Sequence, residues 1–170
     1  MNHLIKFLRL FFFIIVLYAC NTPSEQQVFQ QTALNSNLVS AAYRPAYFRE
    51  IREQKQKNSL NMTANDYVNS HTIIPLDEAI GKAKKLKQTR DAQELISASL
   101  DYMEAGRLIF AKEYLRIAEL IDTGKSNEEI ETAIDQMFKS TEAELLTKQN
   151  HMIAVATVYA KENKIDYRAR

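Results

Sequence analysis

An unbroken apolar run from Leu10 to Ala19 lies near the start of the chain, behind Lys6 and Arg9 and ahead of the polar Asn21-Thr22-Pro23-Ser24. Ten apolar residues are too few to cross a bilayer as a helix, which takes about 20. A positive start, a short apolar middle and an abrupt polar end follow the plan of a secretory signal peptide over residues 1–19. Residues 21–42 then carry Gln, Asn, Ser and Thr with one charge, Glu25, which predicts a flexible tether.

From Tyr43 the spacing of apolar positions becomes helical. Pro45 opens a helix over 46–57 with Tyr47, Phe48 and Ile51 as its stripe. The Asn- and Ser-rich stretch 58–74 predicts an irregular connection with about one helical turn near Tyr67. Pro75 and Asp77 lead a further helix that turns Ile80, Ala83 and Leu86 to one side. Asp91, with Glu94 three residues on, has the spacing of a capping box. Residues 92–122 predict one long helix, or two broken near Gly106, with Leu95, Ile96, Leu100 and Met103 inward, then Leu108, Ala111, Leu115 and Ala118. Thr123-Gly124 supplies a stop, and Ser126 with Glu129 a second capping box. The helix that follows runs to about Glu162 on a stripe of Ile130, Ile134, Met137, Thr141, Leu145, Met152, Ala156 and Tyr159. No stretch of strand length alternates apolar with polar. The fold class is therefore all-α, a small helical bundle or helical-hairpin array over 43–170, after a disordered tether over 20–42.

Two resemblances bear on role. Leu17-Tyr18-Ala19-Cys20 at the end of the apolar run resembles the lipobox of bacterial lipoproteins, over roughly residues 1–21. The resemblance implies that Cys20 becomes the first residue of the mature chain and carries the lipid. It also implies a membrane-anchored envelope protein, with Asn21 favouring the outer membrane on the periplasmic side. Residues 92–123 resemble a single tetratricopeptide repeat at Leu95, Tyr102, Gly106, Ala111 and Ala118, with Gly106 in the turn. Stepping 34 residues from Tyr102 and Gly106 reaches Gln136 and Ser140, so no second copy follows. An antiparallel helix pair in a small bundle is the reading those residues favour.

Composition narrows the chemistry. Cys20 is the only cysteine, which excludes disulfides and thiol nucleophiles from the body. Three Gly and three Pro in 170 residues are too few for a turn-rich sandwich or barrel. Beyond Cys20 the chain holds 20 Lys and Arg against 21 Asp and Glu, which argues against a nucleic-acid partner. The charge is uneven, ten basic to five acidic over 44–90 and four to eleven over 91–135. The functional reading is a basic face near the membrane that meets anionic lipid or another envelope polymer, but such runs usually mark solvated helix faces. The Lys82, Lys84, Lys85, Lys87 and Arg90 cluster spreads over more than one face with no aromatic between.

His71 and His151 have no second ligand at metal spacing, and neither HExxH nor a GxSxG elbow occurs, so no metal, cofactor or catalytic residue is expected. The carboxylate pairs Asp101/Glu104 and Glu128/Glu131 read as surface charges. The sequence thus predicts a non-enzymatic scaffold that binds another envelope protein. The alternative is a small envelope enzyme acting on cell-wall glycan.

Overall fold

In the computed structural model, residues 23–87 and 89–168 are described. Cys20 and the apolar run before it lie outside them. Eight α-segments make up the body: α1 (Glu25–Phe29), α2 (Asn37–Ala42), α3 (Ala46–Gln56), α4 (Ala64–Val68), α5 (Ile74–Lys84), α6 (Gln93–Ile109), α7 (Leu115–Asp122) and α8 (Asn127–Glu162). Three π-helical turns, Gln30–Leu34, Asn69–Ile73 and Phe110–Tyr114, extend α1, fuse α4 to α5 and fuse α6 to α7. No strand occurs among the described residues, and the all-α bundle is the observed class.

The tether is corrected from Ser24 onward. Ser24 opens α1 with a reciprocal capping box, its hydroxyl accepting from the Gln27 N–H while its own N–H donates to the Gln27 side chain. Val28, Phe29, Ala33, Val39 and Ala42 then bury in the core. The hydroxyls that suggested a solvated linker are used up locally. Thr32 Oγ1 donates to the Val28 carbonyl at 2.7 Å and Ser36 Oγ to that of Ala33 at 2.6 Å, so both side chains can bury without an orphaned group. The helical body starts at residue 24, not 43.

Helix stops follow the chain chemistry. After α7, Gly124 takes φ +69°, its N–H bonds to the Ile121 carbonyl and the Lys125 N–H reaches that of Leu120, the paired bonds of a Schellman motif. The motif recurs after α3 with Asn58 in the left-handed position and after α8 with Lys164 at φ +56°. Lysine has no side-chain device that favours that conformation, and glycine adopts it freely. Lys164→Gly is therefore expected to stabilise the protein by about 0.5–1 kcal/mol, or roughly 1–4 °C in Tm. A thermal melt of variant against parent checks it, and an unchanged or lower Tm would count against it.

Residues 58–74 are less irregular than expected. Only Asn58 to Thr63 lies outside helix, and the run from Ala64 passes through Pro75 to Lys84. Proline has no N–H to return one turn back and its ring crowds the helix before it. The Asn69–Ile73 π turn precedes it and ends with the Ile74 N–H on the Asn69 carbonyl, so the chain reaches Pro75 unbroken.

The expected Asp91 cap does not form. α6 starts after buried Ala92, and the Ala92 and Gln93 N–H groups bond to the Thr89 carbonyl instead. Nor is there a turn at Gly106, so residues 92–123 do not form the tetratricopeptide-like hairpin. They form one helical rod, and Gly106 lies within it where α2 crosses closely; a Cβ there would stand 2.6 Å from Val39 Cγ1. The Phe110–Tyr114 π turn adds a residue to the rod, roughly a 100° step in facing. Phe110, Tyr114, Ile117, Ala118 and Ile121 therefore turn inward, while Leu108, expected inside, points out.

These inward rings meet the α3 stripe. Tyr114 packs on Phe48 at 4.7 Å and on Tyr47 at 5.1 Å between ring centroids, and Phe110 on Tyr114 at 4.6 Å. Their polar tips find partners, as buried phenols must. Tyr114 donates to the Ala42 carbonyl at the end of α2 at 2.9 Å, and Tyr47 pairs with Thr72 at 2.6 Å. Burial pushes the Tyr47 phenol up to about 12, which keeps it neutral. α8, a rod of 36 residues, then lies along α6 and closes the bundle.

Candidate functional site

The capping box expected at Ser126 and Glu129 forms and starts α8. Buried residues then cluster at its two ends: Ile130, Ala133, Ile134 and Met137 at the first, and Met152, Ala156, Tyr159 and Ala160 at the last. Between Met137 and Met152 only Leu145 is buried. The middle of the helix is held largely by directed contacts instead. Phe138 packs on Tyr43 at 4.7 Å, Tyr43 Oη pairs with Thr141 Oγ1 at 2.9 Å, and Lys148 Nζ donates to Asp101 at 2.7 Å. Burial raises the Tyr43 phenol and keeps it neutral, and the Asp101 hydrogen bond holds the Lys148 ammonium up.

A groove opens on each side of Leu145. One, about 470 Å³, lies between α8 and the α2–α3 corner and is floored by Ile134, Phe138 and Leu146. The other, about 290 Å³, lies between α8 and α6 and is floored by Leu108 and Ile109. Leu108 is 68% exposed and Leu146 49% exposed. Large aliphatic side chains left that far in water, at the edges of concave surfaces of mixed polarity, mark a place where something can dock. The rims are acidic. Glu131, Asp135 and Glu142 border the first groove with Arg49, and Asp101, Glu104 and Glu144 border the second with Lys148. Arg52 pairs with Glu131, Lys84 with Glu104 and Lys148 with Asp101, while Asp135 and Glu142 have no ion-pair partner among the described residues.

Of the residues singled out from the sequence, Cys20 lies outside the described residues, and the others are scattered. His71 stacks on Tyr67 at 4.3 Å and shares its Nδ1 with Ser70 Oγ at 2.8 Å. His151 faces a different shallow groove beside Glu94 and Glu162. Asp101 and Glu104 meet at the α6–α8 groove, each in an ion pair. Among the described residues no group of His, Cys, Asp and Glu could hold a metal ion, and no helix is long and apolar enough to cross a membrane.

Sequence reasoning missed the grooves because the α8 stripe looks continuous. The available signals were the bare interval from Thr141 to Met152, broken only by Leu145, and the extra apolar neighbour Leu146 beside the stripe. Comparison of the chain with protein-family models, curated proteins and solved structures found no match.

Proposed function

We propose that the chain is a lipid-anchored protein of the bacterial cell envelope, fastened through Cys20, whose helical body docks a segment of another envelope protein across the middle of α8. The anchor rests on the lipobox resemblance and its order of charge, apolar run and cysteine. The docking reading rests on one observation, the exposed Leu108 and Leu146 flanking Leu145 over two acid-rimmed grooves. The occupant that suits them is an amphipathic segment with a basic flank. Its apolar side covers the leucines, at up to about 1.5–3 kcal/mol for each fully buried, and its cations meet Asp135, Glu142 and Glu144.

The start of the body at Ser24 changes the geometry of the anchor. Four residues from Cys20 span at most about 14 Å, against the roughly 25–30 Å reach of a 22-residue flexible tether. The start of the body is therefore held close to the lipid surface.

Two measurements test the reading. Cys20→Ala is expected to move the protein from the membrane pellet to the soluble fraction, or to leave an unprocessed precursor, and wild-type-like pelleting of a mature-sized chain would refute the anchor. A photo-crosslinker at Leu146 should give one discrete adduct in cells, lost in a Glu142→Lys, Glu144→Lys double variant. An adduct that survives the charge reversal, or none from either Leu146 or Leu108, would refute the docking surface.

A further inference from the structure

A further cavity of about 560 Å³, larger than either groove, lies farther along α8 where five parts of the chain converge, the Gln30–Leu34 turn with Leu34 among them. α2 supplies Asn37 and Ser40, α6 supplies Tyr102, α8 supplies Gln149, and the C-terminal tail after α8 supplies Tyr167 and Arg168. We propose that this cavity is a binding site for a carboxylated sugar of one or two rings.

The lining carries the argument. Its volume falls within the about 300–1,000 Å³ of pockets that enclose small ligands. The charges on the chain nearly balance, yet this wall holds one guanidinium and no carboxylate. The rest of the polar lining is two carboxamides, Asn37 and Gln149, and three hydroxyls, Ser40, Tyr102 and Tyr167, each able both to donate and to accept. That set matches a ligand whose own groups do the same on adjacent carbons, as the hydroxyl and acetamide groups of a sugar do. Leu34, Met152 and Ile153 offer apolar wall to the C–H faces of a ring. Tyr167 is braced edge-on against Phe29 at 5.0 Å, so its ring is held at the cavity wall.

Competing ligands fit less well. An amphipathic peptide segment lays an apolar face into an apolar groove, whereas this wall mixes apolar side chains with a guanidinium, carboxamides and hydroxyls. A phosphate calls for several cations or the N-terminus of a long helix, and the lining has a single Arg and only the start of the six-residue α2. One guanidinium matches one carboxylate, two N–H groups to two oxygens.

The site shares Gln149 with the first α8 groove, but Arg168 belongs to this cavity alone, so its test is separable. Full-length protein in a zwitterionic detergent, free of sugar headgroups, is titrated by calorimetry with three probes. They are N-acetylmuramic acid, which has both acetamide and carboxylate, N-acetylglucosamine, which lacks the carboxylate, and D-alanyl-D-alanine, which has a carboxylate but no sugar. N-acetylmuramic acid is expected to bind about ten-fold or more tightly than N-acetylglucosamine, the worth of one charge-assisted contact, with the dipeptide weakest. Arg168→Gln, at an exposed position where folding is not at risk, should erase the preference between the sugars while leaving the melting temperature unchanged. Gln149→Ala should weaken both. Equal binding of the two sugars, tighter binding of the dipeptide, or no heat from any probe would overturn the proposal. The Leu146 adduct would be unaffected by Arg168→Gln, which lies outside both α8 grooves.

Discussion

Asp122→Ala is expected to lower the free energy of unfolding by about 2–4 kcal/mol, the largest loss for any single side chain away from the apolar core. The residue stands in the last turn of α7, where the helix dipole disfavours a carboxylate. Its value lies in what it reaches. The carboxylate accepts from the Ala64 N–H at 2.8 Å and the Asn65 N–H at 3.0 Å, and pairs with Lys55 Nζ. Thr63 Oγ1 accepts from the Asp66 N–H at 2.9 Å, so two residues satisfy three of the four N–H groups that open α4. Alanine would leave two donors partly buried without a partner, each costing about 1–2 kcal/mol, while the partly exposed Lys55 loses its anion at little further cost. Asn keeps an oxygen for one N–H and should lose about half as much.

The same residue sets an acid limit. Burial alone would raise its carboxyl, but the hydrogen bonds from Lys55, Ala64 and Asn65 outweigh that and hold it below the usual carboxylate range. A group depressed in the folded state stabilises fully above its unfolded value, about 3.9, and that contribution drains as pH falls through the folded value. Urea denaturation from pH 7 down to pH 2 should show the parent losing stability below about pH 4. The gap between parent and Asp122→Asn should narrow over the same interval. A constant gap would show that the charge is not what matters.

Gly106→Ala is expected to destabilise by about 1–2 kcal/mol, against the ordinary rule for helices. Within a helix the change normally gains about 0.5–1 kcal/mol, because Ala loses less backbone freedom on folding. Here the new methyl would sit 2.6 and 2.8 Å from the two γ-carbons of Val39. Val39 is fully buried and β-branched, so it has neither room nor a second rotamer to yield. Overpacking of that kind costs about 1–3 kcal/mol, which exceeds the propensity gain. Val39→Ala removes both offending atoms, so the double variant should be more stable than the two single losses summed. A Gly106→Ala protein more stable than the parent would show that α2 moves aside freely.

What could be read from the sequence was local. Ser126 with Glu129, Thr123-Gly124, and the Tyr47, Phe48, Ile51 stripe each carry their instruction within a few residues, and each appears where the spacing puts it. The failures share a cause of longer range. Thr32 and Ser36 look like linker residues until their hydroxyls fold back on their own helix, which happens only because Phe29 and Val39 have a core to enter. Gly106 looks like a turn until α2 crosses it. Leu108 looks internal because a uniform 100° step misses the residue that the Phe110–Tyr114 π turn adds. The grooves beside α8 depend on where buried residues are sparse, and a stripe of apolar letters hides that.

The pairing of Phe29 with Tyr159 and Tyr167 has a kinetic consequence. It joins the first described helix to the final residues, so nearly the whole polypeptide must be looped before those rings touch. Loop-closure entropy rises with the length enclosed, and contacts so distant in sequence are gained late. The C-terminal tail is thus placed to settle after the rest of the bundle has assembled and to be the first part to detach under mild denaturant.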